Sequence, residues 1–202
     1  MHVVCLDVEG VLTPEIWIAF SEATGIEELR LTTRDIPDYD ALMKRRLSIL
    51  AEHGLKLTDI QRVIGGIDPL PGAREFLDAL RSVTQVILLS DTFTQFASPL
   101  MEKLGRPTLF CNTLAVAEDG SIAGYTLRQK NGKYHAVVAL KSIGFHVVAA
   151  GDSFNDLDMI KAADRGFLFN PPPAIEAGNP GIPCFRTYDD FRVAILNTIR
   201  EL

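Results

Sequence analysis

The chain has 202 residues, of which 47% are hydrophobic and 23% are charged, so it can bury a substantial core without disulfide bonds. Twenty basic and 26 acidic residues give a net charge of -6, which argues against a broad nucleic-acid-binding face. No apolar run is long enough to cross a membrane and no secretion signal is visible, so we expect a cytoplasmic protein. Cys5, Cys111 and Cys184 are widely spaced, which predicts free thiols.

The first third of the chain is predicted to be one strand followed by a helical insertion. Residues 2–7 form a short apolar run, which is typical of a buried strand. Residues 14–67 have a helical pattern, interrupted by a predicted break and by predicted stops: Pro37, Gly54, Gly65 and Gly66. The insertion predicts a small helical cap domain, which leaves residues 1–13 and 68–202 as the main domain.

Beyond residue 68, strands and helices alternate in a pattern that favours a parallel sheet. The predicted strands lie at 85–89, 108–112, 146–150 and 166–169, with a hairpin over 114–126. The predicted helices lie at 73–80, 134–143 and 155–163. Another follows the strand at 85–89 and ends at about residue 104, and the last begins at about residue 189. Residues 170–183 are predicted to be a loop. The fold class is therefore α/β, with a Rossmann-like parallel sheet core.

Three predicted strands end in a polar residue. These residues are Asp7, Ser90 and Asp152. Burying a carboxylate is costly, so a carboxylate at a strand end indicates a specific task. Because the carboxyl ends of parallel strands meet at one crevice, where ligands bind, we expect the three residues to lie close together.

The polar residues around these strand ends suit chemistry at phosphorus. Asp7 can attack phosphorus as a nucleophile and form an acyl phosphate, while Glu9, two residues along an extended chain, can act as acid and base. Gly10 allows the chain to turn away sharply. The negative charge of Asp7, Asp152 and Asp156 beside a phosphate requires a cation, most simply Mg2+.

Further residues are candidates for binding the phosphoryl group and the rest of the substrate. Ser90 can donate a hydrogen bond to a phosphate oxygen, together with backbone amides at the start of the next helix. Lys133, at the start of a predicted helix, is preferred over Lys130 as the phosphate-binding lysine, and the alternative stays open. Asp91 and Asn155 complete the set of substrate-binding candidates near the strand ends.

The ordered set of motifs resembles the haloacid dehalogenase (HAD) superfamily of phosphohydrolases. Its D-x-D-x-[TV]-L motif corresponds to residues 7–12, and the other three motifs correspond to Ser90, to Lys133 and to the segment 151–156. The resemblance implies the HAD fold, an aspartyl phosphate on Asp7 and acid–base catalysis by Glu9. It also implies a set of magnesium ligands and an outer-sphere group: Asp7, the main-chain carbonyl of Glu9 and Asp152 as ligands, with Asp156 in the outer sphere.

Within the superfamily, the chain resembles phosphoserine phosphatases, and most of all the subgroup that transfers phosphate from phosphoserine to homoserine. This resemblance implies small-molecule substrates, namely phosphoserine, homoserine and water, with no nucleic-acid or membrane partner. A monomer and a homodimer both stay open. Two departures affect the hydrolytic geometry: Glu9 replaces the usual Asp, and Asp91-Thr92 replaces two glycines.

The helical insertion supplies two candidates for binding the amino-acid part of the substrate. Arg46 falls near the middle of an apolar helix face, while Lys44 falls on the opposite side; the apolar positions are Leu42, Met43, Leu47, Ile49 and Leu50. A guanidinium on such a face favours a buried anion, and a substrate carboxylate can be bound by two hydrogen bonds. Glu15 is the matching candidate for the substrate ammonium. Alternatively, Arg46 forms an ion pair with Glu15, Glu22 or another carboxylate of the cap, and Glu15 stabilises a helix N-terminus.

Two other classes of function remain as alternatives to an amino-acid phosphatase. The same chemistry could serve another small phosphomonoester. A signalling receiver domain also uses an aspartyl phosphate and Mg2+, but it is shorter and lacks a helical insertion after its first strand. No G-x-G-x-x-G segment follows a strand, which argues against a dinucleotide-binding module.

Overall fold

The computed structural model describes residues 1–32, 35–36 and 38–202, and the predicted break at Pro37 lies outside these ranges. Seven strands form one sheet: β1 (His2–Leu6), β2 (Gln85–Phe93), β3 (Thr108–Val116), β4 (Ile122–Thr126), β5 (His146–Gly151), β6 (Arg165–Phe169) and β7 (Cys184–Phe185). Their order across the sheet is β4-β3-β2-β1-β5-β6-β7. Only the β3–β4 pair is antiparallel among these strands, so the predicted parallel α/β fold is confirmed.

Nine α-helices are found in the described ranges: α1 (Ile16–Thr24), α2 (Tyr39–Glu52), α3 (Leu57–Gly65), α4 (Ala73–Arg81), α5 (Thr94–Lys103), α6 (Gly132–Ser142), α7 (Leu157–Ala162), α8 (Pro173–Gly178) and α9 (Tyr188–Glu201). Two 3-10 helices cover Glu27–Arg30 and Phe154–Asp156. The predicted helix at 155–163 therefore starts as a 3-10 turn and continues as α7.

The prediction that 170–183 is a loop was wrong in one part. The segment contains α8, which begins at Pro173. Proline fits the first turn of a helix because its missing amide hydrogen has no partner there in any case, so a proline-rich segment can still start a helix. Strand β7 was not predicted, and it pairs through only two residues, Leu168↔Cys184 and Phe169↔Phe185.

The sheet separates two apolar layers because successive side chains of a strand point to opposite faces. In β1, Val4 and Leu6 belong to one buried cluster, while Val3 and Cys5 belong to the other. Helices therefore cover both faces, as in a doubly wound fold. Strand β1 lies at the centre, and its register sets Leu6 opposite residue 88 of β2 and residue 150 of β5.

This register creates a topological switch point at β1. The chain adds β2, β3 and β4 on one side of β1 and β5, β6 and β7 on the other. The Asp7 amide still donates to the Ala150 carbonyl at 2.9 Å, so Asp7 leaves the sheet beside the end of β5. The crevice at the carboxyl ends of β1, β2 and β5 is thus the expected place for a ligand.

The helical insertion packs on this end of the sheet. Phe20 of α1, Met43 of α2 and Ile64 of α3 belong to the same apolar cluster as Leu6 and Leu88. The insertion also contacts the β3–β4 hairpin, since the Leu57 amide donates to the Gly120 carbonyl at 2.9 Å. The division into a main domain (1–13 and 68–202) and a cap (14–67) stays a prediction.

Two expectations from composition can be compared with the structure. The three cysteines are free thiols, as predicted. Within the described ranges, no helix is both long enough and apolar enough to cross a membrane.

Candidate active site

Three carboxylates meet at the switch point. Asp7 follows β1, Asp152 follows β5, and Asp156 ends the 3-10 turn after β5. One carboxylate oxygen from each lies within 4.8 Å of the others, and all three side chains are buried. The sequence prediction that distant segments converge here agrees with this arrangement, and Ser90, also buried, lies near the end of the adjacent β2.

Lys133 lies inside this acidic cluster. Its Nζ is 2.8 Å from Asp7 Oδ1 and 2.7 Å from Asp156 Oδ1, and its side chain is only 5% exposed. The chain enters α6 through Asn131, whose positive φ of 51° turns the backbone immediately before the helix. Lys130, the alternative, is exposed. The fold therefore brings Lys133, and not Lys130, to the strand ends.

The acidic cluster carries more negative charge than one ammonium can balance. Burial and then repulsion from Asp156 raise the pKa of Asp7 well above its usual value, while Lys133 opposes this shift. Burial and Asp156 also raise the pKa of Asp152 to about 7. Burial would lower the pKa of Lys133, but Asp156 and Asp7 raise it well above its usual value. The site therefore favours an additional cation.

The donor set fits a hard divalent ion such as Mg2+, which prefers carboxylate and carbonyl oxygens. Asp156 is largely occupied, because its Oδ2 accepts hydrogen bonds from the amides of Asp152 and Ser153 while its Oδ1 contacts Lys133. Because both of its oxygens are engaged, Asp156 is better suited to orient Lys133 and the Asp152 main chain than to bind the ion directly. Asp7 accepts from the Val8 amide and from Lys133 through Oδ1, and no contact to its Oδ2 is found among the described residues.

Gly10 permits the close approach of Asp152. Its φ is 77°, which favours glycine, and a Cβ atom at this position would overlap the Asp152 carboxylate. A larger residue would therefore strain the backbone and also displace a predicted metal ligand. The sequence prediction assigned only the turn to Gly10, since the neighbouring carboxylate comes from a distant segment.

Glu9 links the site to the helical insertion. Its Oε2 accepts a hydrogen bond from the Ile16 amide at 2.9 Å, so Glu9 caps the N-terminus of α1. Glu15 is the residue immediately before α1, but its side chain makes no capping hydrogen bond. Burial and then the charge of Glu15 raise the pKa of Glu9 to about 7. A carboxyl group with a pKa near neutrality can both donate and accept a proton.

Arg46 is buried on the inner side of α2, as the helical pattern predicted, while Lys44 is exposed. Its guanidinium lies 4.4 Å from the centre of the Trp17 ring, and its Nη2 donates to the Leu31 carbonyl at 2.8 Å. No ion pair of Arg46 is found among the described residues, and its buried Nε has no partner there. Glu22, one of the proposed ion-pair partners, contacts Arg30 instead. Burial lowers the pKa of Arg46 to about 10.

The segment after Ser90 also contributes polar groups to the candidate site. The Ser90 hydroxyl accepts from the Thr92 amide at 3.1 Å. Asp91 Oδ2 accepts from Asn155 Nδ2 at 2.8 Å and lies 3.9 Å from Lys133 Nζ. Of the two residues that depart from the glycines, Asp91 thus contacts Asn155, while Thr92 holds the Ser90 hydroxyl through its amide.

Tyr39 is a site residue that the sequence prediction missed. Its hydroxyl donates to the Asp91 carbonyl at 3.1 Å, which connects the first residue of α2 to the segment after Ser90. Burial and then the charge of Asp91 raise its pKa well above the usual value. No motif marks this tyrosine, because its partner is a main-chain atom 52 residues away.

The chain is thus a doubly wound α/β protein with buried carboxylates and a lysine at its switch point, which is where this class of protein binds its ligands. A family model described as haloacid dehalogenase-like hydrolase matches residues 1–164. The chain belongs to this family.

Proteins similar to this chain include several phosphoserine phosphatases. The phosphoserine phosphatase ThrH of Pseudomonas aeruginosa is 54% identical over 192 residues, which cover 95% of this chain and 94% of that protein. A phosphoserine phosphatase of Pseudomonas syringae pv. tomato is also 54% identical, over 95% of this chain and 81% of its own length. A crystal structure of a phosphoserine phosphatase in apo form has a TM-score of 0.74 at 23% identity, covering 93% and 94% of the two chains. The last similarity supports the fold.

Proposed function

We propose that this protein is a Mg2+-dependent phosphoserine phosphatase that acts through an aspartyl phosphate on Asp7 and also transfers the phosphoryl group to homoserine. The observation that carries the proposal is the contact of Lys133 with Asp7 Oδ1, beside a Glu9 side chain whose pKa is near 7. The 54% identity to the Pseudomonas aeruginosa phosphatase supports phosphoserine as the donor.

In the first step, an Asp7 carboxylate oxygen attacks phosphorus and the bond from phosphorus to the serine oxygen breaks. Protonated Glu9 gives its proton to the departing alkoxide, so free serine leaves and Asp7 carries an acyl phosphate. The Val8 amide and Lys133 both hold Oδ1 of Asp7, which keeps the carboxylate oriented during the attack. Lys133 and Ser90 are the proposed ligands of the phosphoryl oxygens.

In the second step, Glu9 accepts a proton from water or from the homoserine hydroxyl. The resulting oxygen nucleophile attacks phosphorus, the acyl phosphate bond breaks, and Asp7 is restored. The proposed metal ligands are Asp7, Asp152 and the main-chain carbonyl of Glu9, and Mg2+ bound there would offset the negative charge of the phosphoryl group. The products are inorganic phosphate with water and phosphohomoserine with homoserine.

The helical insertion supplies the proposed contacts to the amino-acid part of the substrate. The buried Arg46 Nε without a partner and the absence of an Arg46 ion pair in the described ranges leave this cation available for a substrate carboxylate. Glu15, whose charge acts on both Glu9 and Arg46, is the proposed partner of the substrate ammonium.

Homoserine is proposed as an acceptor because it carries the same carboxylate and ammonium groups as serine. The two differ by one methylene, which a pocket of this kind distinguishes by only about 1–3 kcal/mol. An alcohol held by Arg46 and Glu15 would have a high effective concentration at the acyl phosphate, so it can compete with water.

Phosphate release from phosphoserine tests the donor, and phosphorus NMR with added L-homoserine tests the acceptor. We expect activity with Mg2+, loss of activity with a chelator, and a phosphohomoserine signal at millimolar homoserine without ATP. Asp7→Asn should abolish turnover, whereas Asp78→Asn, on the outer surface of α4, should not. Activity of Asp7→Asn near the wild-type level would overturn the mechanism. Inorganic phosphate as the only product would overturn the transfer and leave the phosphatase.

A further inference from the structure

The loop that follows Asp7 is fixed from its far side by a residue of the last helix. Tyr188, the first residue of α9, donates a hydrogen bond from its hydroxyl to the Val11 carbonyl at 2.6 Å. Val11 is fully buried, and no second hydrogen bond to this carbonyl is found among the described residues. The two partners are 177 residues apart in the chain.

The loop itself is tightly hydrogen-bonded, so a force on Val11 reaches Asp7 and Glu9. The Val8 carbonyl accepts from the amides of residues 12 and 13 at 2.8 and 3.0 Å, and the Gly10 amide donates to the carbonyl of residue 13 at 2.8 Å. The Val8 amide in turn donates to Asp7 Oδ1. A shift of the Val11 carbonyl therefore moves the loop that carries Glu9 and the Val8 amide that orients the Asp7 carboxylate.

The Tyr188 hydroxyl is held rigidly by its own surroundings. The ring stacks on Phe76, at a centroid distance of 4.9 Å, and on Phe169, at 4.8 Å. Gly72 faces the same ring, and a Cβ atom there would lie 3.3 Å from Tyr188 Cδ2. With the ring fixed in this way, the hydroxyl has one well-defined position from which to hold the loop.

We propose that Tyr188 is a positioning residue for the reaction: its hydroxyl fixes the loop of residues 8–13 and thereby the placement of Asp7 and Glu9. The choice of phosphoserine as the assay substrate rests on the proposed function, whereas the hydrogen-bonded geometry around Tyr188 does not. A hydroxyl with only a structural role would add stability and leave catalysis and metal binding unchanged. A positioning role requires a loss of both, because misplacement of about 1 Å in a reactive group costs about a hundredfold in rate.

Tyr188→Phe tests the proposal because it removes the hydroxyl and keeps the stacked ring. The matched control is Ser21→Ala, which removes a buried hydroxyl that donates to the Ile26 carbonyl at 2.8 Å, away from the acidic cluster. Both variants should lower the unfolding midpoint to a similar extent. We expect Tyr188→Phe alone to lower kcat for phosphoserine at least about tenfold with little change in KM, and to weaken Mg2+ binding measured by calorimetry about tenfold.

Values of kcat and Mg2+ affinity within twofold of the wild type in Tyr188→Phe, with a lowered unfolding midpoint, would overturn the proposal. If the wild type does not turn over phosphoserine, the proposed substrate fails but the positioning role does not. In that case p-nitrophenyl phosphate replaces phosphoserine in the kinetic assay. The Mg2+ affinities of the wild type, Tyr188→Phe and Ser21→Ala also test the positioning role without any turnover.

Discussion

Replacing Gly10 with alanine should damage the site through two separable effects. The first is the backbone, because φ is 77° and a left-handed conformation costs a residue with a Cβ about 1–2 kcal/mol. The second is the Asp152 carboxylate, which the new Cβ would overlap. The Asp152 main chain is held, since its amide is hydrogen-bonded to Asp156 Oδ2 at 3.1 Å, so the overlap must be relieved by rotation of its side chain.

Gly25→Ala isolates the backbone effect. Gly25 has a φ of 71°, close to that of Gly10, and no atom lies within 4 Å of its ideal Cβ position. The backbone conformation should therefore cost both variants about 1–2 kcal/mol in the free energy of unfolding, and the overlap with Asp152 should make the loss larger for Gly10→Ala. Only Gly10→Ala should also displace Asp152, and displacement of a metal-binding side chain should weaken Mg2+ binding about 10–100-fold. That range corresponds to about 1.4–2.8 kcal/mol.

The assay combines a denaturant titration of each chelated protein with a calorimetric titration of Mg2+. We expect Gly25→Ala to bind Mg2+ as the wild type does and Gly10→Ala to bind it at least about tenfold more weakly. The reasoning is refuted if the two variants lose equal stability and their Mg2+ dissociation constants agree within twofold.

Three further predictions concern Arg46, Lys133 and Asp164. Arg46→Ala should lower kcat/KM for phosphoserine about tenfold to 150-fold but have little effect on phosphoethanolamine, which lacks the carboxylate; an equal loss on both would indicate a structural role. Lys133→Met should destabilise the chelated protein by about 3–5 kcal/mol in a denaturant titration, because the buried carboxylates lose their cation, and an unchanged midpoint would contradict this. Burial opposes the shift, but the Val147 amide and Lys141 lower the pKa of Asp164. Its ionised form therefore stabilises the fold above the unfolded-state pKa, and this contribution is lost as the pH falls through the lower folded-state pKa. Asp164→Asn should therefore lower the unfolding midpoint more at pH 7 than at pH 3, and an equal loss at both pH values would contradict this.

The sequence alone determined the fold class and the convergence of the strand ends. Apolar runs that end in Asp7, Ser90 and Asp152 are a local pattern, and parallel strands bring their carboxyl ends together whatever the details of the loops. The burial of Arg46 was also predictable, because a helix presents residues at a fixed angular spacing and its neighbours are apolar. The strand-end pattern recurs in three strands, and the burial of Arg46 depends on one helix, so both can be recognised from local sequence.

The tertiary structure alone decided which distant atoms meet. It selected Lys133 over Lys130, because the entry of the chain into α6 directs only the former to Asp7. It assigned the cap of α1 to Glu9, and it joined Tyr188 to the Val11 carbonyl across 177 residues. Every residue has a main-chain carbonyl, so no spacing or motif can predict which one a tyrosine will contact. Such contacts depend on the relative placement of packed elements, which the sum of all interactions in the fold determines.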